Sequence, residues 1–373
     1  MFFVALIAFS CLFAWNGWAI EYDLESVKDI TVNYTDELVK PEPKAYLKGK
    51  VLCKDGFQLE VLVDTEAKEG QIGRYPITYT ASFLFMKKEI KGYYNIVDLE
   101  APVIEFEFFH DEYILPGEDY NAFIAKDNLD GDITDAVSVT VNTDNVVYSV
   151  QDTFGNETTV TKKLVTDETK VIYLTFDDGP SKYTSELLDI LKKHNVKATF
   201  FVIGSVYSDI FSRMAEEGHA IGIHTYTHEF KDIYKNEESY FADLNKTQDL
   251  IIEKTGNSTK LLRFPGGSSN TISRKINKGI MSRLAVEVEK QGFTYFDWNV
   301  DSNDAGGAKD SDTVFENVKQ GIEGKKKAVV LQHDTKKFSI DAVESIILWG
   351  KENGYVFLPL NVHSFSSHHK VLN

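Results

Sequence analysis

From Val171 to Leu360 the chain alternates strand-length apolar runs with helix-patterned stretches, and few architectures can absorb such a repeat. "VIYLTF" (171–176) precedes a helical pattern over 184–194, "ATFFVIG" (198–204) precedes 206–217, "AIGIHT" (220–225) precedes 238–255, and "LLRFPG" (261–266) precedes 272–290. "TYFDWNV" (294–300), "AVVLQHD" (328–334) and "VFLPL" (356–360) continue the series, with helical patterning over 312–322 and 340–352 between them. Strand and helix alternating this regularly means a parallel sheet with helices outside it. Seven such strands predict a barrel of the TIM type, incomplete by one unit, with reactive groups at the C-terminal ends of the strands.

The unusual polar residues fall at those ends. Asp177 and Asp178 close the first strand in "TFDDGP", and His224 and His228 follow the third in "HTYTH". Arg263 ends the fourth in "RFPGG", Asp301 and Asp304 follow the fifth in "NVDSND", and His333 ends the sixth in "LQHD". Turn chemistry alone would account for any one of these stretches. Five strands delivering titratable groups to one rim is a different matter.

His224 and His228 with one carboxylate from the first strand make a two-histidine, one-carboxylate set that leaves metal positions open to water and substrate. Zinc is the default cation, and cobalt, nickel, manganese or iron fit the same donors. One aspartate would serve as ligand, and the other would stay free as a base beside a water whose pKa the cation lowers. Arg263 would pair with the free aspartate, keeping it ionised and oriented. His333 suits a general acid, its pKa raised by a carboxylate such as Asp304. The set describes attack of water on a carbonyl with an acid for the leaving group, without naming the substrate.

The rest of the chain sets the context. Residues 1–20 carry no charged side chain, which predicts an export signal or an N-terminal membrane anchor. Glu21 to Thr166 reads as short β-type runs between turns, among them "FQLEVLVD" (57–64), "RYPITYTASF" (74–83) and "NVVYSVQD" (145–152). They resemble two bacterial Ig-like β-sandwich modules, 21–98 and 99–166, with the joint near "VDLEAPVIEF" (97–106). "KDNLDGDITD" brings Asp127, Asp130 and Asp132 close together, and a turn held by Asx hydrogen bonds fits its spacing better than a calcium loop. Cys53, the single cysteine beyond residue 20, reads as a small buried residue. A net charge of −17 excludes a nucleic-acid partner, and nothing in the pattern calls for an obligate protein partner.

"TFDDGP", "HTYTH", "RFPGG", "DSND" and "LQH", in this order and at these intervals, resemble the five motifs of the polysaccharide deacetylases, the NodB-homology domain of carbohydrate esterase family four. The resemblance covers roughly 168–373, and the catalytic domain is expected over 167–373. It implies a distorted (β/α)7 barrel that deacetylates N-acetylglucosamine polymers. By resemblance, Asp177 is the catalytic base, Asp178, His224 and His228 are the metal ligands, and Arg263 positions the base. A backbone amide near Gly266 is the oxyanion donor, Leu331 lines the pocket for the acetyl methyl, His333 is the acid and Asp304 tunes it, with Asp301 as the other candidate for that place. The family's fourth motif ends in Asp-Trp, whereas Ala305 follows Asp304 here, so one pocket wall would come from elsewhere, such as Trp298. "RFPGGSSN" and "NVDSNDAGG" are most similar to the peptidoglycan N-acetylglucosamine deacetylases, which implies an extracellular enzyme on a bacterial surface with glycan strands as its partner. The alternatives are a deacetylase of chitooligosaccharide or poly-N-acetylglucosamine, or an inactive glycan-binding surface protein.

Overall fold

Alternating β-branched and aromatic residues build the N-terminal part of the chain as sheet. The computed structural model describes residues 16–50, 52–107 and 112–373, so the leading apolar run lies outside it up to residue 15. The run's last two residues, Ala19 and Ile20, open a strand, Ala19–Tyr22, that pairs antiparallel with Ala45–Lys48. Ala45–Lys48 in turn pairs with Phe57–Leu59. A second sheet is built on the long hairpin Gly73–Phe83 and Met86–Val97, flanked by Val61–Thr65 and Ile30–Asn33. Ile20, Tyr22, Leu47 and Leu59 from the first sheet and Ile77, Tyr79 and Tyr94 from the second share one buried core. The run "FQLEVLVD" thus serves both sheets, changing over at Glu60. Met86–Val97 escaped the sequence reading because Lys87, Lys88, Glu89 and Lys91 mask its alternation. Cys53 is exposed rather than buried and sits in a left-handed turn, φ 57°, where it packs against no core.

The chain divides into two compact units. One holds the residues up to Phe106 with Phe123–Thr140 and Val147–Val160; the other holds Glu107–Ala122, Val141–Val146 and Thr161–Asn373. The expected joint at residue 166 therefore gives way to a less simple division. Within the second unit, Tyr113 and Ile114 pair in parallel with Lys163 and Leu164, and Leu115 packs with Val171, Tyr173 and Phe201.

The second unit contains the expected parallel sheet. Its strands are β1 (Val171–Gly179), β2 (Thr199–Val202), β3 (Ala220–Ile223), β4 (Leu261–Leu262), β5 (Thr294–Tyr295), β6 (Val300–Asp301), β7 (Lys327–His333) and β8 (Val356–Phe357). They lie in the order β5-β4-β3-β2-β1-β7-β6, with β8 paired to the start of β1. The predicted strand "TYFDWNV" is two strands, and they form opposite edges. The five steps from Tyr295 to Val300 reach at most about 18 Å, at roughly 3.6 Å per residue. A flat sheet of this size would hold its edges about 29 Å apart, at about 4.8 Å per strand. The sheet must therefore curl, which makes it a distorted (β/α)7 barrel. Helices such as Thr184–Lys193 cover it, burying Leu187, Leu188 and Leu191.

Candidate active site

In a regular strand, neighbouring side chains point to opposite faces, so Asp177 and Asp178 should not reach the same place. The pairing of β1 with β2 shifts register between Asp177 and Gly179, and Asp178 adopts φ 67°. This bulge re-aims one carboxylate. Both now face His224: Asp178 Oδ1 lies 3.5 Å and Asp177 Oδ2 3.8 Å from its Nε2. His228 Nε2 is 3.3 Å from the same Asp178 Oδ1, and His333 Nε2 approaches Asp178 Oδ2 at 3.8 Å. Asp178 Oδ1 is buried and has no hydrogen-bond partner.

The two histidines of "HTYTH" come together through a loop, not a helix face. Thr225 and His228 both have positive φ, and Asp243 of helix Glu237–Thr255 fastens the loop, accepting from the Tyr226 and Thr227 amides at 2.5 and 3.1 Å and from Thr227 Oγ1 at 2.9 Å. His224 Nδ1 bonds the Arg263 carbonyl at 2.8 Å, which makes that nitrogen the donor and leaves Nε2 with its lone pair toward the carboxylates. Burial lowers the His224 pKa to about 3, so the ring is neutral.

Arg263 is fully buried and makes four hydrogen bonds. One terminal nitrogen donates to Asp177 Oδ1 at 2.8 Å and to Thr175 Oγ1 at 2.6 Å, while Nε and the other terminal nitrogen hold the Phe296 and Asp297 carbonyls. The guanidinium lies over the Phe201 ring at 4.2 Å. Arg263 therefore orients Asp177 and also braces the β5–β6 connection that closes the barrel. Burial pushes the Asp177 pKa up and outweighs the downward pull of Arg263, so the net shift is opposite to what charge pairing alone would give.

On β7, His333 Nδ1 bonds Asp304 Oδ1 at 2.7 Å, and the His333 amide donates to Asp304 Oδ2 at 2.7 Å. Burial by itself would lower the ring's pKa, but the Asp304 hydrogen bond and charge raise it to about 9. Asp304 is buried; Asp301 is exposed and instead accepts the Asn303 amide at 2.7 Å, so Asp304 is the partner. Leu331, two residues before His333, is buried beside Thr175 in the β1–β7 register. Gly266 and Gly267 turn with φ 75° and 77°, and a Cβ on Gly267 would lie 3.0 Å from the Trp298 ring. Ala305 is exposed.

Three carboxylates of this region went unread in the sequence. Asp297 is fully buried and holds the glycine turn through the Ser268 amide (2.8 Å) and hydroxyl (2.5 Å) and the His369 amide (2.7 Å). Asp243 lies on a helix whose pattern looks ordinary. Asp334, the residue after His333, accepts from Thr184 Oγ1 at 2.5 Å, and burial pushes its carboxyl up to about 7. It fills the space beside Gly179, where an added Cβ would meet it at 2.2 Å. The "HD" pair was the available signal for Asp334; for the other two there was none in the local pattern.

The polysaccharide deacetylase family model matches residues 165–282. A peptidoglycan-N-acetylglucosamine deacetylase of Bacillus cereus is 40% identical over 202 residues, which are 51% of this chain and 69% of that protein. The chain belongs to the polysaccharide deacetylase family. The crystal structure of the catalytic domain of a peptidoglycan N-acetylglucosamine deacetylase from Eubacterium rectale is 48% identical, with a TM-score of 0.55, covering 56% of this chain and 96% of that one. A similar protein from Listeria monocytogenes, PgdA, is 34% identical over 196 residues but only 38% of its length is matched.

Polysaccharide deacetylases are metal-dependent in general, and Asp178, His224 and His228 fit a divalent cation. Their donor atoms lie within 4.8 Å of one another, the orphaned Asp178 Oδ1 faces both imidazoles, and the mixed nitrogen and oxygen set suits a borderline metal.

Proposed function

We propose that the chain removes N-acetyl groups from N-acetylglucosamine residues of peptidoglycan at a bacterial cell surface. The observation that supports this most is the meeting of Asp177, Asp178, His224, His228 and His333 at one barrel mouth. The relatives described above carry the same activity in their names.

Held by Asp178, His224 and His228, a divalent cation, zinc before cobalt, nickel or manganese, supplies Lewis acidity toward water and the amide carbonyl. Asp177, oriented by Arg263, takes the proton from the attacking water at its carboxylate; its raised pKa makes it a stronger base. A backbone N–H near Gly266 donates to the oxygen where negative charge develops. His333, protonated and held by Asp304, delivers its proton to the departing nitrogen, so that the C–N bond breaks to acetate and a free amine. Leu331 and Trp298 line the acetyl methyl, with Trp298 taking the place left by Ala305. The two Ig-like modules act as a spacer, and the apolar run ahead of strand Ala19–Tyr22 serves export or attachment.

Acetate release from purified peptidoglycan and from chitin oligomers tests the reading. Release from peptidoglycan supports it. Release from chitin oligomers alone sinks the wall assignment, and glycan binding with no release from any N-acetylated polymer makes the chain a binding protein.

A further inference from the structure

Three acidic side chains far apart in sequence meet inside the first unit. Asp98 follows strand Met86–Val97, Asp127 ends strand Phe123–Asp127, and Asp152 follows the strand that ends at Gln151. All three are buried, with at most 8% of their surface exposed, and one carboxylate oxygen from each lies within 4.8 Å of the others. Within 126–135 the favoured reading of a turn held by Asx hydrogen bonds holds, Asp127 accepting the Leu129 and Asp130 amides, and Asp130 and Asp132 do not join Asp127. Asp130 turns away to the Thr153 amide and hydroxyl, and Asp132 to those of Thr134.

In each cluster member Oδ1 is already committed, and in Asp152 the other oxygen also accepts, from Asn156 Nδ2 at 2.6 Å. Asp98 takes the Glu100 amide and Asn128 Nδ2, Asp127 the Leu129 and Asp130 amides, and Asp152 the Phe154 and Asn156 amides. Oδ2 of Asp98 and Oδ2 of Asp127 are buried and have no hydrogen-bond partner. Among the described residues, no lysine, arginine or histidine forms an ion pair with any of the three. Buried carboxylates that neither hydrogen-bond fully nor meet a cationic side chain are unfavourable unless something positive joins them.

We propose that Asp98, Asp127 and Asp152 bind one calcium ion, which fastens the segment after Val97 to the loops that follow Asp127 and Asp152. The donors are all hard oxygens on irregular loops, with no histidine or cysteine. That set suits calcium, which accepts six to eight oxygens in flexible geometry, better than zinc or the strictly octahedral magnesium. The remaining positions would go to water and backbone carbonyls. The site is independent of the deacetylase reading.

The test uses the full chain, stripped with chelator, reloaded with zinc and titrated with calcium chloride by calorimetry, with thermal unfolding in parallel. The expected result is one calcium per chain, an upward shift of the unfolding temperature, and at least a tenfold loss of affinity in Asp98→Asn and in Asp127→Asn. Asp132→Asn, and His228→Ala at the other cluster, should bind within twofold of wild type. Failure of the wild type to bind calcium overturns the proposal, as does binding that survives both cluster substitutions or disappears in His228→Ala. Equal affinity for magnesium overturns the choice of calcium.

Discussion

Two groups of acidic side chains in this molecule converge from distant strands, and they differ in what surrounds them. Around Asp178 the partners are two imidazoles, a second carboxylate braced by Arg263, and a histidine whose charge Asp304 supports. Around Asp98, among the described residues, the hydrogen-bond partners of the three carboxylates are backbone amides and the side-chain amides of Asn128 and Asn156. On the function proposed above, the first group holds a cation, takes a proton and gives a proton, each with a different residue. The second can only hold. Convergence of carboxylates marks a place for a cation, and it is the neighbouring base and acid that turn such a place into chemistry.

That contrast is sharpest at Asp177. Its replacement by Asn keeps shape while removing the base, so acetate release should fall by about 10²- to 10⁴-fold, the usual contribution of general base catalysis, with metal content unchanged by elemental analysis. Arg263→Met strips the partner from a buried charge and the brace from the barrel closure. The expected loss is about 3–5 kcal/mol in unfolding free energy, read by denaturant titration, whereas Asp98→Asn in calcium-free buffer should not destabilise the fold.

Asp243→Ala removes three hydrogen bonds from the "HTYTH" loop without touching a donor atom, and metal affinity should drop about 10- to 100-fold by competition titration. Asp304→Asn should act on the pH profile. His333 must be protonated to act, so activity is lost as pH rises through its pKa; without Asp304 that pKa falls from about 9, and the alkaline limb should move to lower pH. The same linkage gives a stability contribution present below the ordinary histidine pKa near 6.5 and lost as pH rises through about 9. Trp298→Ala should have the smallest effect, about a tenfold loss in kcat/KM with native unfolding temperature, since on the proposed function it removes one pocket wall and no titratable group.

Most of the barrel could be read from the sequence because its strands are apolar runs and its reactive residues sit at their ends. Even so, "TYFDWNV" became two edges, since periodicity does not reveal that a connection must span a closing sheet. The bulge at Asp178 was equally invisible: adjacent carboxylates in a strand say nothing about which face each takes. Asp243 and Asp297 act through backbone amides distant in sequence, which no local pattern encodes. In the first unit, Asp127 was noticed for its neighbours Asp130 and Asp132, while its true companions lie 29 residues before it and 25 after. Met86–Val97 hid behind its charges because they crowd its exposed first half, while only the second half buries Tyr94 and Ile96.

The division of labour between adjacent aspartates can be tested in one experiment: acetate release from peptidoglycan and bound zinc measured side by side for wild type, Asp177→Asn and Asp178→Asn after chelation and zinc reloading. The expected result is that Asp177→Asn holds zinc but releases almost no acetate, while Asp178→Asn loses the zinc and the activity together. Full zinc loading in Asp178→Asn, or near-normal acetate release by Asp177→Asn, would contradict it.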